Sequence, residues 1–512
     1  MSTRCQKQEL LPFTVNNQLQ TFFDDYLIHY VQNLTRRLHR PVKGKGPIIQ
    51  ADQPWEHITY FTCSNHNVIY DPMDKKFKCF YEDWDWTAWR DRKFQDGAMM
   101  VAISDDGVHW EKPRLGITKI DGKDTNIVLG RDAYGSVHSA TVFLDQMEPD
   151  PNKRFKTIYR RHLPGETSKK HKFGKEKITF EMATSPDGIH WKPIEQSPLV
   201  IGSLEGDVEI IIRDPITGKL ILMGRPHNAG TWSGSHPEDK SFTAPYDPNE
   251  PFGFLNKRNV WRAESDDGIH WSGEVGALRQ DRFDNLDDGF YGLNHWRIGQ
   301  LYTGIFQIFH AVDNTMDVEL VYSRDDGYTW QRPFRNIPYI PRGGADAWDR
   351  YMITCVAPPV NVGKETFVYH SGASCHHDWW IYEDMGPDVP EKCNLDMVSY
   401  CLGLARLRRD GYVSLDAGMC DGVLATKPFK RASDKLVINA VCEKGGYVAV
   451  EVQDMYGRPW PGFTRKDCNV FTGDDTDHVV TWQGKNNLAE TSKYIKLAFY
   501  MKNASLYTLH LA

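Results

Sequence analysis

The ten cysteines of this 512-residue chain include no Cys-x-x-Cys pair, no His-Glu-x-x-His stands anywhere, and no run approaches 18 consecutive apolar residues. The first absence removes zinc ribbons and dithiol redox centres, the second a helical metalloprotease, the third a membrane-spanning helix. Cysteines such as Cys79 in FKCFY and Cys355 in MITCVAP sit inside strand-like runs, as reduced core cysteines do. The first twenty residues lack the apolar stretch of a signal peptide, so the expected compartment is the cytoplasm. Asn33 and Asn503 head glycosylation sequons that would matter only in a secreted protein. A basic excess is also missing: the net charge is -7, which argues against a nucleic-acid partner. The one basic run, Leu34 to Gly46, reads as a solvated loop.

What is present is repetition. SDDGVHW (Ser104 to Trp110) returns as SPDGIHW (Ser185 to Trp191), SDDGIHW (Ser265 to Trp271) and SRDDGYTW (Ser323 to Trp330). Asp-Gly between strand-like runs marks a hairpin, because glycine accepts the positive φ of a tight turn. Ser and Asp can bond the turn's own backbone while Trp covers it. A degenerate copy without Trp follows at RRDGYVSL, around Gly411. A second phrase precedes the first three copies: YDPMDKKFKCFY, LDQMEPDPNKRFKTIYR and RDPITGKLILMGR, each a strand, an Asp turn, a basic residue and a strand.

Each unit therefore supplies four antiparallel strands, and about five such units predict an all-β fold, a five-bladed β-propeller. From about Gly422 the phrases stop and half-buried alternation takes over, predicting a β-sandwich. The expected organisation is an N-terminal segment over 1–50 that can pack on the sandwich, a propeller over 51–418 and a C-terminal β-sandwich over 419–512.

SRDDGYTW resembles the Asp box of sialidases. Five units followed by a sandwich are similar to the furanosidase-type glycoside hydrolases, invertase/levansucrase-like and arabinanase/xylosidase-like, with the related mannoside phosphorylases. RDP at Arg213 to Pro215 matches the invertase-like motif whose Asp supports the sugar; the same DP is also the blade turn at Asp71-Pro72. The family's Asn-Asp-Pro-Asn nucleophile motif is absent. The resemblance implies cleavage of a glycosidic bond at the propeller centre.

Such cleavage needs two carboxyl groups. Acids just ahead of apolar runs in different units nominate Asp207, Asp288 and Asp349. Candidate substrate contacts are His66, Trp84, His138, Arg160, Arg225, Tyr291, His377 and Asp378, the last two in the HHDWW cluster, which is costly to bury without a role. Glu56, Asp83, Asp85, Glu205, Glu209, Asp287, His295 and His376 stand in the same unit starts, with Glu209 equally readable as an outward-facing strand residue. His66, His138, His377 and Asp378 leave room for a central ion, although no short ligand spacing indicates one, and no cofactor is expected. The expected partner is a carbohydrate, with no nucleic acid and no membrane. The competing expectations are a non-catalytic glycan- or protein-binding propeller, and a sialidase-like enzyme with Arg160, Arg225 and Arg262 gathered on an acidic sugar.

Overall fold

The computed structural model describes residues 13–85, 97–131, 136–163, 177–197, 199, 208–225, 258–377 and 395–512. Across them the fold is all-β, a five-bladed propeller with a β-sandwich. Blade one runs His66–Asp71, Lys76–Trp84, Gly97–Ser104 and Ile127–Gly130, with the short Ile58–Thr59 extending its inner edge. Blade two is Ser136–Leu144, Phe155–Leu163, Lys177–Ser185 and Lys192–Pro193. Blade three is Glu209–Arg213, Leu220–Gly224, Val260–Ser265 and Trp271–Leu278. Blade four is Asp288–Ile298, Leu301–His310 and Thr315–Ser323, with an isolated bridge from Tyr322 to Gln331. The innermost strands of blades one to four pack side by side in that order.

Blade five closes the ring out of sequence. Its strands Met352–Thr354, Glu365–Ala373 and Tyr400–Arg408 are completed by Val42–Lys43, antiparallel to the last of them. The degenerate turn at Gly411 therefore does not lead to a fourth blade strand. Its positive φ falls on Asp410 at 54°, and the chain continues into Val413–Ala417, which pairs with Leu34–Leu38 and Tyr494–Leu511 in the sandwich sheet. The basic run from Leu34 to Gly46 is thus strand at two places rather than loop. Arg36, Arg37 and Lys43 sit on these short strands, whose residues alternate between half-buried and exposed. Gln20–Thr21 and Ile28–Gln32 also join the sandwich sheet, beside Tyr494–Leu511 and Gly422–Thr426.

The repeated turn is built as its residues dictate. Ser104 Oγ accepts from Gly107 N at 2.8 Å, and Asp106 Oδ1 accepts from Val108 N and His109 N at 2.8 Å each. Ser185, Asp187, Ser265 and Asp267 repeat this pattern. The four turn glycines have φ of +74°, +77°, +83° and +82°, a region closed to most side chains. In three copies the Trp closes the turn: Trp191, Trp271 and Trp330 donate Nε1–H to the carbonyls of Gly188, Gly268 and Gly327 at 2.9, 2.9 and 3.1 Å.

The second repeated phrase links neighbouring blades. Asp71 accepts from Arg154 of the next blade at 2.6 Å, Asp145 from Arg213 at 2.9 Å, and Asp214 from Arg297 at 3.0 and 2.8 Å. Each Asp also caps its own turn, bonding Met73 N, Met147 N or Ile216 N. Arg213 and Asp214 of the RDP motif are thereby both used in joining blades.

Candidate functional site

In an antiparallel blade the start of the first strand and the end of the second lie at one end. That end gathers Glu82 and Trp84 in blade one, His138 and Arg160 in blade two, and Glu209 and Arg225 in blade three. In register, His138 stands opposite Arg160 and Glu209 opposite Gly224.

Glu82 is 2% exposed and accepts from three donors: Asn65 Nδ2, His138 Nδ1 at 2.7 Å and Ser139 N at 3.0 Å. The backbone bends to make this possible. Between His138 and Thr141 the pairing register shifts, and Ser139 takes a φ of 52°, which a β-carbon disfavours. Such a bulge re-aims the side chain before it, here His138, and its cost of order 1 kcal/mol is the kind of strain that collects at functional positions.

Arg160 is 7% exposed, and its guanidinium lies in the field of two carboxylates, Glu209 and Glu82. Burial works against its charge and pulls its pKa down; the two carboxylates work to hold the charge. Glu209 is itself 2% exposed, at the first position of its strand. Acids from blades one and three thus both favour the charge of this one cation.

Aromatic rings enclose this group. Tyr60 packs edge-on against Trp84 and Tyr400, at 5.2 and 5.1 Å between centroids, and Trp84 lies 5.9 Å from His138. On the blade-four side, Tyr291 donates or accepts through its hydroxyl with His377 Nε2 at 2.8 Å. The guanidiniums of Arg225 and Arg258 each lie 4.4 Å from the Tyr291 ring centroid. Burial and the nearby charge of Arg258 depress the Arg225 pKa. Tyr400 holds the backbone of His377 by a hydrogen bond to its carbonyl at 2.9 Å.

Of the sequence-derived catalytic candidates, Asp207 lies outside the described residues, as do Glu205 and Asp378. Asp288 opens its strand and accepts from His310 Nδ1 at 2.8 Å and Asn285 N at 2.9 Å, with His310 Nε2 in turn 3.1 Å from Asp317. Asp349 is ion-paired to Lys43 of the strand that closes the ring. Both acids serve contacts inside blades four and five rather than contacts to Arg160.

Among the binding candidates, Trp84, His138, Arg160, Arg225, Tyr291 and His377 fall in the group just described. His66 is 1% exposed beside Phe61, with neither ring nitrogen hydrogen-bonded among the described residues, and burial together with His370 drives its pKa down to about 3. Arg262 turns away, pairing with Glu264 at 2.9 Å and donating to the Asp326 carbonyl at 3.0 Å, so it does not join Arg160 and Arg225.

Three of the remaining unit-start residues are engaged by neighbours. Asp83 takes His57 N and Arg131, Glu56 takes the Tyr81 hydroxyl at 2.7 Å, and the His376 ring meets Tyr351 at a tilt of 37°, 3.9 Å between centroids. His138 and His377 spend a ring nitrogen on Glu82 and Tyr291, and among the described residues no group of three or more His, Cys, Asp or Glu is placed to hold a metal ion.

Sequence reasoning missed Glu82, Tyr60, Arg258 and Tyr400. A signal for Glu82 existed: on an alternating strand Glu82 and Trp84 share one face and Asp83 takes the other. Arg258 carried no such sign, since it precedes its strand by two residues and meets Tyr291 only in space.

No protein-family model matches the chain, and no curated protein matches it. Solved structures do resemble it. A thermostable family-43 glycoside hydrolase aligns at 13% identity over 69% of this chain and 92% of its own, with a TM-score of 0.43. A fructofuranosidase from Schwanniomyces occidentalis in complex with fructosylnystose aligns at 12% identity over 90% and 96%, with a TM-score of 0.40. An N-acetylgalactosamine deacetylase from F. plautii, in complex with blood group B trisaccharide, aligns at 13% over 74% and 96%, with a TM-score of 0.41.

Proposed function

We propose that the chain is a glycoside-cleaving enzyme whose working carboxyl pair is Glu82 and Glu209. The observation that carries the reading is Arg160, a buried cation in the field of both acids where blades one, two and three converge. Glycosidic cleavage asks for one carboxyl to protonate the leaving oxygen and a second to activate water or attack the sugar. A buried carboxylate is costly, and a cation in whose field both acids lie lowers that cost for each. Tyr60, Trp84 and Tyr400, packed edge to face, line this end of the blades with aromatic side chains against the C–H groups of a sugar. His138, tied to Glu82, offers a polar group to its hydroxyls. Asp288 and Asp349 stand apart from this convergence, in contacts with His310 of blade four and with Lys43 of the ring-closing strand.

The test is hydrolysis of aryl furanosides, aryl pyranosides and soluble polysaccharides by the full chain and by Glu82→Gln, Glu209→Gln, Asp207→Asn, Asp288→Asn and Asp349→Asn. Turnover that falls about 10³-fold in both glutamate variants, with the Asp288 variant nearer wild type, supports the assignment. Turnover that ignores both glutamates overturns it. Glycan binding without turnover by any form would mark a binding propeller instead.

A further inference from the structure

We propose a second carbohydrate-binding site on the flank where blade five meets blade one, with Trp110 as its platform. Three of the four repeated turns are closed by their own Trp, which donates to the turn glycine's carbonyl. In the first turn that carbonyl, Gly107 O, is taken by the hydroxyl of Tyr369 from blade five, at 2.9 Å. Trp110 is displaced from its usual bond and meets Tyr369 edge-on, at 6.2 Å between centroids. Its indole N–H is buried and has no acceptor among the described residues. Leaving such a donor unmatched costs about 1–3 kcal/mol, so Trp at this turn is held at a cost that the three sister turns do not bear.

Beside it lies a half-open cleft of about 510 Å³, lined by Pro47 to Gln50, Asp52, Gln53, Trp110 and Lys112. The stretch from Pro47 to Gln53 links the ring-closing strand to blade one, with Ile49 bridged to Leu402. The chemistry of the lining selects a sugar. Trp110 supplies one flat ring, Gln50 and Gln53 supply amides, the latter donating to Asp52 at 2.9 Å, and Asp52 supplies a carboxylate half exposed to solvent. Lys112 is already committed to Asp52, Glu56 and the Gln50 carbonyl, so it fixes the wall and leaves no strong cation for an anionic ligand. A pyranose or furanose ring has a C–H face for the indole and hydroxyls that both accept and donate, which is what this lining can satisfy. The site shares no residue with the Glu82–Glu209 group and stands whether or not that group cleaves glycosides.

The experiment is affinity electrophoresis of the full chain through gels containing arabinoxylan, galactomannan, hydroxyethyl cellulose or inulin. Glu209→Gln serves as the background, so that binding is read without turnover. At least one polymer is expected to retard this protein. Trp110→Ala should weaken that retardation by about tenfold or more, the scale of removing one aromatic anchor. Trp110→Phe, which keeps a ring against Tyr369, and Gln53→Trp, which fills the cleft with Trp110 intact, guard against a folding artefact; both are expected to weaken binding while leaving Tm within a few degrees. No retardation by any polymer overturns the proposal, and so does retardation that survives both Trp110→Ala and Gln53→Trp.

Discussion

The hydroxyl of Tyr369 donates to the carbonyl of Gly107 across 2.9 Å, joining the last blade to the first at the point where three sister turns use their own indole. The four otherwise similar tryptophans therefore do unequal work. Phe in place of Trp191, Trp271 or Trp330 removes a hydrogen bond of about 1 kcal/mol. Phe in place of Trp110 removes none. Urea unfolding of the four variants should show Trp110→Phe as the mildest. Tyr369→Phe should cost about as much as the other three, because it leaves the Gly107 carbonyl unmatched.

Ring closure depends on Lys43 and Asp349, 306 residues apart and with side chains 23% and 3% exposed. Removing Lys43 leaves the Asp349 carboxylate buried without its cation. Lys43→Met should therefore lower stability by about 2–3 kcal/mol, and Asp349→Asn by less, since the lysine can reach solvent. Reversible denaturation of both variants and of the double variant measures this. A double-variant cost well below the sum of the two singles identifies the pair as coupled.

His310 lies between Asp288 and Asp317. Burial acts to lower its pKa, but the hydrogen bonds and charges of the two acids outweigh it and raise the pKa to about 9. A group whose pKa is higher folded than unfolded stabilises fully below its unfolded value, about 6.5, and the benefit fades as pH rises through 9. Asp288 and Asp317 are shifted the other way, so their contribution is present near neutrality and lost as the solution becomes strongly acidic. The stability difference between wild type and His310→Gln should thus be of order 2–3 kcal/mol near pH 6 and shrink above pH 9. Thermal unfolding at pH 6, 7.5 and 9.5 tests it; a gap that stays constant over that range removes the ion-pair account.

Arg160 serves two acids at once, so its loss should resemble losing either of them. Arg160→Met is expected to lower kcat/KM by about 10²–10³-fold, since it removes the buried positive charge on which both Glu82 and Glu209 act. Arg160→Lys keeps the charge but not the planar fork, and should recover part of the loss. Equal losses in both variants would assign the requirement to guanidinium geometry rather than to charge.

How much of this could be read beforehand follows from how local each feature is. The repeated turn was legible because Ser, Asp and Gly satisfy one another within four residues. Counting those turns led to five blades. The sharing of Arg160 was not legible, because it needs Glu82 from the second strand of one blade and Glu209 from the first strand of another. Attention to strand starts favoured Asp207, Asp288 and Asp349 and passed over a strand end. Ring closure was hidden for a different reason: Val42–Lys43 is two residues long and lies in a basic run, so neither periodicity nor apolar content marks it as strand.

The acid–arginine links between blades all point one way. Asp71, Asp145 and Asp214 each wait for an arginine 83, 68 and 83 residues later in the chain. On a ribosome the acid of each blade therefore emerges well before the cation that will face it. Asp71 and Asp145 have a lysine of their own blade to hold meanwhile, Lys78 at 2.9 Å and Lys156 at 2.6 Å, whereas Asp214 has the hydroxyl of Thr217. Until Arg297 is made, Asp214 is therefore the one of these three acids that holds a neutral partner in its own blade rather than a lysine.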